Sequence, residues 1–148
     1  MINTKRGALA MLVLAAILVV SFAVIGGCAG EQVAAPGAQI IQDVSTVAAN
    51  SMIRDHQGDT DFVLLDVRTP QEYADGHLEG AVLIDYYSET FSNRLNELDK
   101  AKPYLIYCQS GGRSGRALDI MRDLGFEEVY NVLGGILQWE ADGFPTVE

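Results

Sequence analysis

The chain has 148 residues and carries 10 basic against 20 acidic side chains. At about 100–200 residues per domain, this length predicts one domain with room for a short appendage. The acidic balance excludes the basic surface that nucleic-acid binding needs, so no nucleic-acid partner is expected. Two cysteines exclude a disulfide-rich scaffold and a cysteine-based metal cluster. We expect neither a metal nor another cofactor, and we expect the protein to be a monomer.

The first 30 residues have the anatomy of a secretory signal. Lys5 and Arg6 precede an uncharged, mainly apolar run over residues 7–30. Within that run, Ile25-Gly26-Gly27-Cys28 resembles the lipobox of bacterial lipoproteins. The resemblance implies a signal peptide over residues 1–27 and a lipid on the sulfur of Cys28. The Gly/Ala/Pro-rich composition that follows predicts a flexible tether over residues 28–38.

An uncleaved helix is the alternative for this segment, because 24 uncharged residues can cross about 30 Å of hydrocarbon. Both alternatives attach the chain to a membrane. Both also place the body outside the cytoplasm, since Lys5 and Arg6 keep the N-terminus inside. We expect an extracytoplasmic, membrane-anchored protein of the cell envelope.

After the tether, short apolar runs alternate with amphipathic stretches. In chain order these predict strands at residues 40–41, 62–65, 82–84, 104–107 and 129–131, and helices at residues 46–56, 70–74, 88–98, 114–124 and 135–141. Ser45 suits the N-cap of the first helix, whose core side would carry Val47, Met52 and Ile53. The alternation predicts an α/β fold over residues 39–148, with a central parallel sheet of about five strands and helices on both faces.

One loop carries the residues that point to chemistry. The strand at 104–107 runs into Cys108, and a helix is predicted from Ser114. The loop residues between and including these ends are Cys108, Gln109, Ser110, Gly111, Gly112, Arg113 and Ser114. Gly111 and Gly112 permit φ > 0, so successive N–H groups can form an anion cradle. A helix N-terminus and an arginine favour the thiolate of Cys108, which is the nucleophilic form.

The loop length bears on which anion would fit. Phosphatases that use a Cys and an Arg have five residues between the two, whereas four separate Cys108 from Arg113. A shorter loop suits a single sulfur on the cysteine better than a phosphate.

Four stretches together resemble the single-domain rhodanese-type sulfurtransferases. They run from Asp66 to Tyr73, from Gly76 to Ala81, from Cys108 to Ser114, and from Asn131 to Gly135 with Trp139 beyond. The resemblance covers residues 39–148 and implies the rhodanese-like fold. It also implies that Cys108 takes a sulfane sulfur from a thiosulfate-like or persulfide donor and passes it, as a persulfide, to a thiophilic acceptor. The expected partners are a small sulfur-containing anion or a thiol/persulfide protein.

Several nearby residues have two interpretations. Arg113 could bind the anionic donor or brace the loop through backbone carbonyls. Asp66 and Arg68 follow a strand, so they could form a structural ion pair that steadies the floor of the site, or they could contact the substrate. His77 is expected to be structural rather than a general base, since an ionised thiol needs none, and Trp139 is expected to fill the core.

Two other functions stay open at this point. One is a module without turnover that carries sulfur for a partner or binds it. The other is a phosphatase or arsenate reductase of the same fold, which the short loop disfavours.

Overall fold

A computed structural model describes residues 38–148. Its elements alternate strand and helix: β1 (Ile40–Val44), α1 (Thr46–Asp55), β2 (Val63–Asp66), α2 (Pro70–Ala74), β3 (Val82–Leu83), α3 (Phe91–Asn96), β4 (Pro103–Tyr107), α4 (Gly112–Asp123), β5 (Glu128–Val132) and α5 (Gly135–Ala141). The predicted signal peptide, Cys28 and almost all of the tether lie outside the described residues. Within residues 38–148, no helix is long and apolar enough to cross a membrane.

The five strands form one sheet in the order β1-β5-β4-β2-β3, and every neighbouring pair is parallel. Asp66 at the end of β2 lies opposite Tyr107 at the end of β4. Parallel pairing brings the carboxyl ends of the strands to one edge, where open α/β sheets place their sites. The predicted α/β fold with a five-stranded parallel sheet is confirmed.

Helices cover both faces of the sheet, as alternating strand side chains require. On one face, Leu65, Ile106 and Val129 pack with residues of α3 and α4. On the other face, Leu64, Leu105 and Val132 pack with residues of α1 and α5, including Trp139. The core role expected of Trp139 is therefore observed, and its indole N–H donates to the carbonyl of Pro145 at 2.9 Å.

Local backbone chemistry sets the element boundaries. Ser45 caps α1 by accepting from the N–H of Ala48, as predicted. Thr69 and Glu72 form a capping box at the start of α2, which begins at Pro70. Gly125 follows α4 with a φ of +87° and ends it.

Four details of the predicted elements are wrong. The helix predicted at 88–98 is only α3, because the Ser88 hydroxyl accepts from the N–H of Thr90 and holds a turn ahead of Phe91. The strand predicted at residues 82–84 is the shorter edge strand β3, which ends at Leu83 and leaves Val82 exposed. Val47 is 61% exposed, whereas Thr46 and Ala49 are the α1 residues that are buried. The start of α4 two residues before Ser114 is the fourth difference, and it affects the site directly.

Candidate active site

Strand β4 delivers Cys108 to the carboxyl edge of the sheet. The residue follows Tyr107, carries a free thiol and is 1% exposed, with its side chain in the core cluster under α4. Above it, Ser110 and Gly112 form the exposed rim of the loop. The thiol thus lies at the bottom of a short loop rather than on the surface.

The loop is tighter than the sequence predicted. α4 begins at Gly112, and its N-cap Gly111 has a φ of +90°. A Cβ on Gly111 would also approach the backbone nitrogen of Gly134 to 3.2 Å. Gly112 differs, because its φ is ordinary for a helix and a Cβ there would meet nothing within 4 Å. Of the two glycines that permit φ > 0, Gly111 therefore adopts it and Gly112 does not.

Two donors point at the sulfur of Cys108. The backbone N–H of Gly111 lies 3.2 Å from Sγ, and the hydroxyl of Ser114 lies 3.3 Å from it. Burial by itself raises the pKa of the Cys108 thiol, but hydrogen bonds from the Ser114 hydroxyl and from N–H groups of Ser114, Ser110 and Arg113 outweigh it. The pKa of Cys108 therefore lies below its ordinary value, which favours the thiolate.

The N-terminus of α5 holds the outer side of the loop. The N–H of Ile136 donates to the carbonyl of Cys108 at 2.9 Å, and the N–H of Leu137 donates to that of Gln109 at 3.1 Å. Since a peptide's N–H points away from its carbonyl, these bonds turn the N–H groups of Gln109 and Ser110 away from α5. The close approach needs Gly135, where a Cβ would lie 2.3 Å from the Cys108 carbonyl oxygen.

Arg113 reaches from α4 to α2. Its guanidinium donates to both carboxylate oxygens of Glu72, at 2.7 and 2.5 Å, and lies over the ring of Tyr87. The Arg113 hydrogen bond lowers the pKa of Glu72 to about 2, and the same pair raises the pKa of Arg113. The expected bracing thus runs from side chain to side chain, not through backbone carbonyls. Glu72 is thus part of the joint that braces the cysteine loop.

Asp66 and Arg68 form the predicted pair beneath the loop. Both side chains are buried, and their closest N–O distance is 2.7 Å. Arg68 also donates to the carbonyl of Gly76 at 2.6 Å and to the side chain of Gln109 at 3.4 Å. Arg68 therefore links the end of β2 to the cysteine loop.

The residues that sequence reasoning missed are Glu72 as a partner of Arg113 and the start of α5. Glu72 stands three residues after Thr69, and that capping-box spacing could have signalled a carboxylate fixed at a helix start. The pair Gly134-Gly135 before an amphipathic stretch also marks the start of a helix in the sequence. The neighbouring residues do not indicate that this helix start contacts Cys108. His77 stacks on Tyr73 at 3.8 Å, which fits its expected structural role.

Among the cavities within residues 38–148, a smaller and a larger one adjoin the elements around the site. The smaller, of about 150 Å³, lies beside the loop and is lined by Arg68, Glu72, Asp75, Gly76, Gln109, Ile136 and Glu140. The larger, of about 620 Å³, lies between the end of α1 and the Trp139 side of α5. Within residues 38–148, no group of His, Cys, Asp or Glu side chains is arranged to hold a metal ion.

The fold and the cysteine loop occur together in a known protein family. The model of the Rhodanese-like domain matches residues 49–142. The chain belongs to the rhodanese-like family. The match runs from within α1 to the end of α5, and so includes the whole of the cysteine loop.

Curated rhodanese-like relatives include proteins named as sulfurtransferases. A "Sulfurtransferase" of Allochromatium vinosum is 36% identical over 59% of this chain and 79% of its own length. "Thiosulfate sulfurtransferase 16, chloroplastic" of Arabidopsis thaliana is 32% identical over 68% of this chain and 88% of its own length. YqhL of Bacillus subtilis, named an uncharacterized protein, is 42% identical over 51% of this chain and 59% of its own length. The chain thus spans less than two thirds of YqhL.

A solved rhodanese-related structure from Thermoplasma volcanium has the same fold. It superposes with a TM-score of 0.62 at 25% identity, covering 72% of this chain and 97% of its own. The family, the fold and the sulfurtransferase names among relatives thus agree with the motifs from Asp66 to Trp139.

Proposed function

We propose that this rhodanese-like protein is a sulfurtransferase that carries sulfane sulfur as a persulfide on Cys108. The observation that carries the proposal is the buried Sγ of Cys108, which receives hydrogen bonds from the Gly111 N–H and the Ser114 hydroxyl. A thiolate so placed is a nucleophile that needs no separate base. The sulfurtransferase names of the Allochromatium and Arabidopsis relatives support the same chemistry.

In the first half-reaction, the Cys108 thiolate attacks the outer sulfur of the donor. With thiosulfate, the new bond joins Sγ to that sulfur, the old sulfur–sulfur bond breaks, and sulfite leaves as a dianion. The persulfide anion on Cys108 keeps the remaining negative charge. Fixed N–H donors around the loop stabilise that charge without reorganising during the reaction.

In the second half-reaction, a thiophilic acceptor removes the outer sulfur. With cyanide, a carbon–sulfur bond forms, the persulfide bond breaks, and thiocyanate leaves while the Cys108 thiolate is restored. Because the cysteine is an anion before and after each step, one set of donors serves both halves.

The surrounding residues position the loop in this proposal. Arg113 and Arg68 both hold carboxylate partners, Glu72 and Asp66. They fix the loop to α2 and to the end of β2, and we assign them positioning roles. Gly111 and Ser114 donate to the sulfur through a backbone N–H and a hydroxyl. Gln109, Ser110 and Gly112 complete the loop around it.

We further propose that the protein works at a membrane surface outside the cytoplasm. The support is the sequence alone: the basic start, the apolar run and the small residues before Cys28. A lipid on Cys28 would leave Cys108 as the free thiol of the chain.

Turnover of thiosulfate and cyanide by the full-length protein tests the proposed reaction. We expect thiocyanate to form catalytically, with no release of phosphate from a phosphate ester under the same conditions. Stoichiometric loading without turnover would favour the sulfur-carrier module, and phosphate release would favour the phosphatase.

A further inference from the structure

The larger cavity lies in a part of the protein that the proposed sulfur transfer does not use. Its volume of about 620 Å³ is within the range of about 300–1,000 Å³ that small-molecule sites occupy. No residue from Cys108 to Ser114 lines it. Phe62, just before β2, and Leu64, near the start of that strand, do line it. The cavity therefore lies toward the amino end of β2, whereas Cys108 lies at the carboxyl edge of the sheet.

Two pairs of packed aromatic rings line this cavity. His56 and Phe62 stack with their ring centroids 4.5 Å apart, and Trp139 and Phe144 pack with theirs 4.8 Å apart. The first pair comes from the end of α1 and the turn before β2, and the second from α5 and the segment after it. Phe62 and Phe144 are only partly buried, so part of each ring is available to a ligand. Such walls favour an aromatic or bulky apolar body.

Two exposed side chains of opposite charge line the same cavity. Arg54 lies in the last turn of α1, and Glu79 lies in the segment between α2 and β3. Within residues 38–148 neither forms an ion pair, whereas Arg68, Arg113 and Arg122 each hold a carboxylate. The cavity thus presents one cation and one anion that no neighbouring side chain neutralises.

We propose that the larger cavity binds a small zwitterion with an aromatic body, which is the chemistry of an aromatic amino acid. The ring packs among Phe62, Trp139 and Phe144, the carboxylate pairs with Arg54, and the ammonium group pairs with Glu79. A neutral apolar molecule would leave both charges unused. A simple anion or cation would pair with one of them and be repelled by the other. This site is additional to the proposed sulfur transfer and does not depend on it.

The cavity contains a natural probe of its occupancy. Trp139 is the single tryptophan of the chain and lines the cavity, so the tryptophan emission of the full-length protein responds to what binds there. Titration with L-phenylalanine to millimolar concentration should change this emission saturably, and calorimetry should give the same affinity. L-Alanine, which has both charged groups but no ring, should bind at least about ten-fold more weakly.

Two analogues of L-phenylalanine test the two charges separately. 3-Phenylpropionate keeps the ring and the carboxylate but lacks the ammonium group, and 2-phenylethylamine keeps the ring and the ammonium group but lacks the carboxylate. At low salt each analogue should bind about three-fold or more weakly than L-phenylalanine. The difference should shrink as added salt screens the charges, because Arg54 and Glu79 are exposed.

Matched variants assign each charge to its side chain. Arg54→Gln should weaken the binding of L-phenylalanine and 3-phenylpropionate several-fold, but not that of 2-phenylethylamine. Glu79→Gln should weaken the binding of L-phenylalanine and 2-phenylethylamine, but not that of 3-phenylpropionate. The controls are Arg94→Gln and Glu97→Gln, which make the same charge changes at exposed positions in and just after α3. Because α3 packs on the other face of the sheet, the controls should weaken the binding of none of the three.

Three results would overturn the zwitterion site. The first is the absence of saturable L-phenylalanine binding in both emission and calorimetry. The second is equal affinity for L-phenylalanine and its two analogues, and the third is an equal effect of the cavity variants and their controls. Sulfur loading of Cys108 in the same samples tests the proposed function independently, because no residue of the cysteine loop lines this cavity.

Discussion

At the scale of single residues, Cys108 combines burial with a set of hydrogen-bond donors. Burial opposes ionisation, but the Ser114 hydroxyl and the loop N–H groups favour the anion and lower the pKa of the thiol. The folded protein therefore releases this proton at lower pH than an unfolded chain does. The resulting stabilisation is present above the ordinary thiol pKa of about 8.5 and is lost as the pH falls through the folded value.

This pKa shift predicts the pH profile of thiol alkylation. The full-length protein is alkylated with iodoacetamide at a series of pH values, and the modification is read on the peptide that contains Cys108. The alkylation rate should reach half of its maximum at a pH below about 8.5. Ser114→Ala removes one hydrogen-bond donor to the Cys108 sulfur, so it should move the midpoint to higher pH. The protein should stay folded, with Cys108 still buried in the core. A wild-type midpoint at or above the ordinary value would contradict the role given to these donors. The midpoint is the informative quantity, because burial slows the reagent at every pH.

The two loop glycines should respond differently to a methyl group. Gly111→Ala puts a side chain at a φ of +90° against Gly134, which should cost about 1–3 kcal/mol and slow sulfur loading. Gly112→Ala meets open space at an ordinary helical φ, and it should raise the unfolding free energy by up to about 1 kcal/mol. Chemical denaturation and loading rates measure both. If both variants lose the same unfolding free energy and the same loading rate, the different backbone conformations of Gly111 and Gly112 are contradicted.

At the scale of elements, the Glu72–Arg113 pair joins α2 to the start of α4. The same carboxylate accepts from the N–H and hydroxyl of Thr69, so one side chain caps α2 and fixes the cysteine loop. A hydrogen-bonded ion pair that joins two elements contributes more to the free energy of unfolding than an exposed ion pair does.

Glu72→Gln should therefore weaken both the fold and the site. We expect a loss of about 1–3 kcal/mol in unfolding free energy and several-fold slower persulfide formation. Glu97→Gln, at an exposed position after α3, is the matched control and should change neither. Because the pKa of Glu72 is lowered from 4.5 to about 2, the stability difference should be full above pH 4.5 and vanish as the pH falls through about 2. A difference that persists below that pH would exclude the ion pair as its source.

Local patterns were sufficient to predict most elements. α2 and α5 have the predicted bounds, because Pro70 fixes the start of one and Gly135 that of the other. Strands buried on both faces were recognisable as unbroken apolar runs. The truncation of α3 and the exposure of Val82 depend on a competing turn and on sheet order, neither of which an apolar run reveals.

The site was predictable where its residues are adjacent in sequence. Cys108 to Ser114 form one loop, and Asp66 and Arg68 are two residues apart, so their pairings follow from local geometry. The contacts of Glu72 with Arg113 and of Ile136 with the Cys108 carbonyl join distant segments. Only the three-dimensional arrangement of α2, α4 and α5 reveals them.

At the scale of the whole molecule, the leader decides where this chemistry takes place. Cys28→Ser removes the sulfur that the lipobox resemblance marks for a lipid, so the mature chain should lose its acyl mass and its membrane fraction, or keep the leader uncleaved. Fractionation and intact mass of both forms measure this. If neither form carries the mass of a lipid and both stay in the membrane fraction to the same extent, lipidation at Cys28 is contradicted and a helical anchor is favoured.

The proposed sulfurtransferase function depends on sulfur becoming bound to Cys108. Intact mass and peptide mapping of the full-length protein after excess thiosulfate measure this directly, with Cys108→Ser as the comparison. We predict that the wild type gains the mass of one sulfur atom on the Cys108 peptide, that cyanide removes it as thiocyanate, and that the serine variant folds but gains nothing. A wild type that gains no sulfur, or a serine variant that gains as much, would contradict the account.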